Sequence, residues 1–268
     1  MAYDDSASRK LPALTGWKWF LEGVRATRSA PVSMTGIVLF YLIVAGGLSV
    51  LPIVGFVLAA FFMPFGTVFI GRSTRDVLAG KVPSYAVFAE LWKKAAVRRS
   101  LVSVGLVYSI FLVAVEALYA YLAADDISQW VISDQGQIDW ESVSSHFPWD
   151  GVIASIIVYI PGLMAVWFAP LLVAQKRMTA GKALFYSFFG CLRNIVPVIV
   201  LLASLTALAA VSVVAVVSIT LMLNSEVLAS WLSIPFIFLT ATVMYASYWP
   251  MYRDLFDDAG EDPAGTRP

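Results

Sequence analysis

Residues 195–223 read IVPVIVLLASLTALAAVSVVAVVSITLML, an unbroken run with no formal charge. A helix rises 1.5 Å per residue, so about 20 apolar residues suffice to cross the ~30 Å hydrocarbon core of a bilayer. A membrane-spanning strand is about 10 residues long and alternates apolar with polar, and this run is continuous and too long for that. Working outward, five more stretches share its character: Val32–Leu51, Ile53–Ile70, Leu101–Leu122, Val152–Ala174 and Val227–Tyr248. The only charged residue inside any of the six is Glu116. Pro52, with Gly55 just beyond it, closes the first two into a tight hairpin, and Asn224-Ser225-Glu226 closes the last two.

The composition agrees. Of 268 residues, 60% are hydrophobic and 13% charged, and the mean hydropathy is +0.80. Soluble domains carry about 25% charged residues, so an ordinary cytosolic enzyme is excluded. Eighteen basic and 18 acidic residues balance to a formal charge of zero, which excludes the basic character of a nucleic-acid-binding protein. The polar start of the chain lacks the apolar stretch and cleavage site of a signal peptide, so the first span is expected to be a retained anchor.

Charge placement predicts the orientation. Residues 1–31 hold five basic residues, 71–100 hold seven, 175–194 hold four and the tail holds Arg253 and Arg267, which accounts for all 18. Six-span threading puts every one of them on a single side, and basic residues mark the cytoplasmic side. Both termini are therefore expected in the cytoplasm. That side carries ten acids, a net of +8, whereas the outer loops carry seven acids and no base.

The sequence also predicts three parallel repeats, 15–70, 84–174 and 179–250, between a flexible segment 1–14 and an acidic flexible tail 251–268. Ahead of the first, third and fifth spans lies an amphipathic stretch ending in Arg28-Ser29, Arg99-Ser100 or Arg193-Asn194. Counting back from each Arg gives Phe20, Leu21 and Val24; Leu91, Trp92 and Ala95; Phe185, Tyr186 and Phe189, with Trp17 and Phe88 one turn earlier. That spacing is one helical face. Trp17, Phe20, Phe88, Trp92, Phe185 and Phe189 are thus expected to anchor interfacial helices, with basic residues meeting anionic lipid headgroups. The even-numbered spans end in Phe62-Met63-Pro64, Phe168-Ala169-Pro170 and Tyr248-Trp249-Pro250. A proline inside a helix removes one backbone hydrogen bond and kinks it, so Pro64, Pro170 and Pro250 are expected kinks. Three two-span units also suggest mitochondrial carriers, but carriers place their prolines on odd spans within a charged motif that is missing here.

Gly16-Trp17-Lys18-Trp19, Phe168-Ala169-Pro170-Leu171-Leu172-Val173, Met178, Lys182-Ala183-Leu184, Ser187 and Cys191-Leu192-Arg193-Asn194 resemble an uncharacterised family of bacterial inner-membrane proteins. The resemblance covers nearly the whole chain and is sharpest over 166–194. It implies a six-span helical fold in the inner membrane and, because that family has no established activity, no site residues. More loosely, the architecture looks like the membrane domain of some glycerophosphodiester phosphodiesterases, without their catalytic domain.

Few residues offer chemistry. Glu116, about 22 Å along the third span, is the candidate intramembrane functional residue, as a proton or cation site; the alternative is that it reaches the outer interface or hydrogen-bonds a Tyr or Ser while protonated. The outer loop 123–151 holds Asp125, Asp126, Asp134, Asp139, Glu141 and Asp150 with His146. Their spacing matches no calcium loop, and residues 131–139 read as a small hairpin. Cys191 has no neighbouring base to activate it. No catalytic triad, zinc motif or phosphate loop occurs, so no enzyme activity, metal or cofactor is expected. The function expected is a non-catalytic scaffold, assembly or regulatory protein that binds lipid, a membrane-protein partner or its own copy. The alternative is a transporter or channel for a small solute or ion that uses Glu116.

Overall fold

The structure is a computed structural model and describes residues 10–52, 54–83, 86–132, 137–223 and 226–256. Among these, the ordered elements are helices: α1 (Thr15–Ser29), α2 (Pro31–Ser49), α3 (Gly55–Leu78), α4 (Ala86–Lys93), α5 (Ala95–Ser128), α6 (Trp140–Ser145), α7 (Trp149–Trp167), α8 (Ala169–Lys176), α9 (Ala180–Arg193), α10 (Ile195–Leu223), α11 (Glu226–Ala246) and α12 (Tyr248–Phe256). The fold is all-helical. Five stretches are long and apolar enough to cross a membrane: Pro31–Ser49, Gly55–Leu78, Ala95–Ser128, Trp149–Lys176 and Ile195–Met222. The sixth segment read from the sequence is helical as α11, which packs against α10, α2 and α1.

Three elements depart from the expected boundaries. The second span continues eight residues past Ile70, as α3, to Leu78. The third span is only the middle of α5, which runs from Ala95 to Ser128; helix propensity carries it past both edges of the apolar run. The fourth is split at Phe168 into α7 and α8. The ends of the packed domain also move. Leu11 is half-buried and donates its N–H to Asn194 Oδ1 at 2.8 Å, so the anchored chain begins before residue 15. Met251, Tyr252, Leu255 and Phe256 are buried, which extends the domain through α12 instead of stopping at 250. Within 123–151, where a hairpin is expected over 131–139, the described residues include one antiparallel bridge, Ile132 with Ile138, and 133–136 lie outside the described residues. Asp139 then caps the short helix α6 through Glu141 N–H at 3.0 Å.

Burial is uneven along the bundle. The most apolar stretch of α3 is 56% buried and that of α10 only 17%. Hydrocarbon is as apolar as leucine, so spanning helices gain little by hiding apolar side chains from it. The tightly packed core lies instead at the basic end, where 68–74 of α3, 169–174 of α8 and most of α12 are buried together.

Candidate functional site

The three aromatic-x-Pro motifs lead into this core. Two of the helices break beside their prolines, at Phe168 ahead of Pro170 and at Ser247 ahead of Pro250, whereas α3 continues through Pro64. In each case most of the segment after the proline is buried. Phe168 stacks on Tyr248 with ring centroids 5.6 Å apart and meets Phe256 edge-on at 5.4 Å. Leu171 of α8 packs on Gly71 of α3, where a Cβ would lie 3.0 Å from its side chain. Arg75 stands 5.8 Å over the ring of Trp249.

At Phe168 the break is held open by a side chain. In an uninterrupted helix the Phe168 N–H would bond the Met164 carbonyl. Ser187 of α9 takes the place of that bond: its hydroxyl accepts from Phe168 N–H at 2.9 Å and donates to Met164 O at 2.7 Å. A side chain inserted into the helical ladder is a recognised cause of a kink, and here it acts with Pro170. Tyr248 donates its hydroxyl to Trp167 O on the next turn. Arg72, buried on α3, donates to Ala174 O at 3.1 Å and so serves the carbonyl end of α8, where a cation also suits the helix dipole. Its other partner is Glu90, at 3.5 Å.

The first helix is locked onto the same core. Gly16 rests on Pro197 and Leu201 of α10, and Gly23 rests on Val243 of α11 and on Ser247 just beyond it, both too close for a Cβ. Between them Trp19 is fully buried and donates its indole N–H to Asp254 at 2.9 Å. Arg253 grips Glu22 with two hydrogen bonds of 2.9 Å and holds Asp254 at 2.8 Å. The hydrogen bond to Glu22 raises the Arg253 guanidinium above its usual range. Because both partners are partly exposed, the ion pair contributes only about 1 kcal/mol, and the buried indole fixes α1.

The predicted residues are distributed as follows. Trp17 on α1, and Phe185 and Phe189 on α9, are exposed, and Phe20 belongs to the core with Trp17 stacked on it at 5.0 Å. The side chains of Phe88 and Trp92 lie outside the described residues. Glu116 is exposed on α5. The acids of 123–151 form no cluster of metal-binding type among the described residues, and Asp134 lies outside them. His146 Nδ1 sits beside Ser145 Oγ at 3.2 Å and Ser142 O at 3.3 Å. Cys191 is buried beside Met164 O, and burial pushes its thiol up to about 12. It is neutral at physiological pH and has no nucleophilic character.

Trp19, Ser187, Asn194, Arg72 and Tyr41 were missed as structural determinants. Tyr41 of α2 packs against Gly66 of α3 and meets Tyr245 of α11 edge-on at 5.4 Å. One legible signal was the pair Gly16 and Gly23, seven residues apart and therefore on one helical face with Trp19.

No protein-family model matches this chain, and no solved structure matches it. The glycerophosphodiester phosphodiesterase likeness finds no support in these comparisons. The chain is similar to a probable inner membrane protein of Burkholderia thailandensis, 25% identical over 261 residues that cover 92% of this chain and 93% of the relative. With five membrane-length apolar helices and this end-to-end likeness, an uncharacterised family of helical inner-membrane proteins fits the chain.

Proposed function

We propose that this is a six-span inner-membrane protein with both termini cytoplasmic, built of three parallel repeats, that binds lipid or a membrane partner as a non-catalytic scaffold, assembly or regulatory protein. The observation that carries this reading is the three-sided character of α1 and α9. On α1, Gly16, Trp19, Phe20, Gly23, Ala26 and Thr27 face protein; Trp17 and Leu21 form an exposed apolar strip; Lys18 and Arg25 form an exposed basic strip. On α9, Ala183, Ser187, Gly190 and Cys191 face protein, Phe185, Phe189 and Leu192 form the apolar strip, and Lys182 and Arg193 the basic one. A soluble helix needs two faces, one for the core and one for water. A third, apolar and unpacked, suits a helix lying where protein, hydrocarbon and water meet.

The placement of Glu116 supports this reading over transport. Counting ~20 residues of hydrocarbon from Leu101 puts the outer boundary near residue 121, so the exposed Glu116 lies about one turn inside and its carboxyl reaches the interface. Gentle extraction followed by native mass spectrometry tests the proposal. A stoichiometric lipid or protein partner retained on the chain is expected, and a bare monomer under all mild conditions contradicts it.

A further inference from the structure

Between α10 and α11 runs an apolar groove of about 650 Å³, walled by Leu205, Ala209 and Val216 on one side and Phe236, Thr240 and Ala241 on the other. No charged residue lines it. Its lining on α10 extends from Leu202 to Val217, about 22 Å at the helical rise. A polymethylene chain, about 4–5 Å across at carbon contact distances, fits along it, and the charge around its two ends favours an anionic lipid over an apolar partner helix.

The two ends of the groove differ. At the basic end α1 crosses directly beneath it, with Gly16 on Leu201 and Gly23 on Val243, each one residue before the lining positions Leu202 and Met244. Beside that floor, exposed Ile195, Ile199 and Leu202 follow one another at helical spacing and continue the apolar path down to Arg193. The segment leading into α10, residues 175–194, has four basic residues and no acid. At the other end no basic residue is available at all, because 195–252 contains none.

We infer that this groove holds one acyl chain of an anionic phospholipid from the cytoplasmic leaflet, with its phosphate at Arg193 and its chain between α10 and α11. The inference rests on the membrane orientation and lipid-binding reading proposed above and gives that reading a site. The hydroxyls along the groove do not disturb an apolar occupant where they bond their own helix, as Ser212 does to Leu208 O at 2.9 Å.

The test uses the full chain in vesicles of phosphatidylethanolamine and phosphatidylglycerol at about 3:1, doped with phosphatidylglycerol bearing a photoactivatable group within one acyl chain. Crosslinks are expected to concentrate on 202–217 and 233–244. Ala209→Phe and Ala241→Phe, which fill the groove from opposite walls, should each lower that labelling at least tenfold. Ala207→Phe, on an exposed position outside the lining, should leave it unchanged. Arg193→Gln should remove the preference for that phosphatidylglycerol probe over phosphatidylethanolamine bearing the same photoactivatable group. Slow reaction of buried Cys191 with a maleimide certifies that each variant is folded. Labelling spread evenly over α10, or insensitive to both groove-filling variants, overturns the site. If lipid nevertheless persists on the chain in native mass spectra, the broader lipid-binding reading survives that failure; a bare monomer removes both.

Discussion

Trp19→Ala is expected to destabilise the protein by about 3–5 kcal/mol, the range for truncating a large buried aromatic side chain. Trp19 has no exposed surface, and its loss also leaves Asp254 without the indole N–H at 2.9 Å. The substitution leaves a cavity between α1 and the elements it touches, α10, α11 and α12. The measurement is already built into the chain. Cys191 is the only cysteine and is buried, so its reaction with a maleimide dye speeds up as the fold opens. A midpoint lower by roughly 10 °C is expected from the size dependence of such shifts. Trp17→Ala, two residues away but exposed, should lower it by no more than ~2 °C, consistent with a cost under ~0.5 kcal/mol for a surface change. Equal effects of the two would mean that α1 is not docked as described.

Ser187→Ala is expected to cost about 2–4 kcal/mol through a different mechanism. The side chain is small and its removal leaves little cavity. The hydroxyl, however, satisfies Phe168 N–H at 2.9 Å and Met164 O at 2.7 Å at a buried helix break. Without it, a donor and an acceptor lose their partner, each worth about 1–3 kcal/mol when buried. The Cys191 thiol, 3.6 Å from Met164 O, is too weak a donor to replace it. Ser204→Ala is the control, since that hydroxyl only bonds back to Val200 O within α10 at 2.7 Å. Bonds of this kind add little to a helix whose carbonyl is already engaged, so a shift within ~0.5 kcal/mol is expected. The same thiol-reactivity melt compares the two.

The apolar runs and the breaks beside Pro170 and Pro250 were legible because each follows from a local rule, whereas α3 continues through Pro64. Bilayer thickness sets the first, and the missing proline N–H sets the second. What the runs conceal is where each helix stops. Charged and polar residues continue α3 to Leu78 and α5 to Ser128, and hydropathy has no view of them. Helix α1 shows a subtler limit. Spacing picks out Trp17, Phe20, Leu21 and Val24 as the apolar face of α1, yet Trp17 and Leu21 are exposed and Trp19, on the next sector, is buried. Hydrophobicity cannot distinguish a face that meets protein from one that meets lipid, because the two environments are equally apolar. The small residues Gly16, Gly23, Ala183 and Gly190 mark the protein-facing side through close approach. Ser187 and the Trp19–Asp254 pair were illegible for another reason: their partners lie 19 and 235 residues away, and no local pattern records them.

The most direct test of the account is the side of the membrane on which each end of the bundle lies. Cys191 is too deeply buried to serve as a topology marker despite its place on the basic side, so single cysteines are placed at Ser145 in the outer loop and at Gly181 at the start of α9, both exposed. Intact spheroplasts are then treated with a membrane-impermeant maleimide. The account predicts that Ser145→Cys labels at once and that Gly181→Cys labels only after the membrane is opened. Labelling of Gly181→Cys in intact cells, with Ser145→Cys protected, would contradict it.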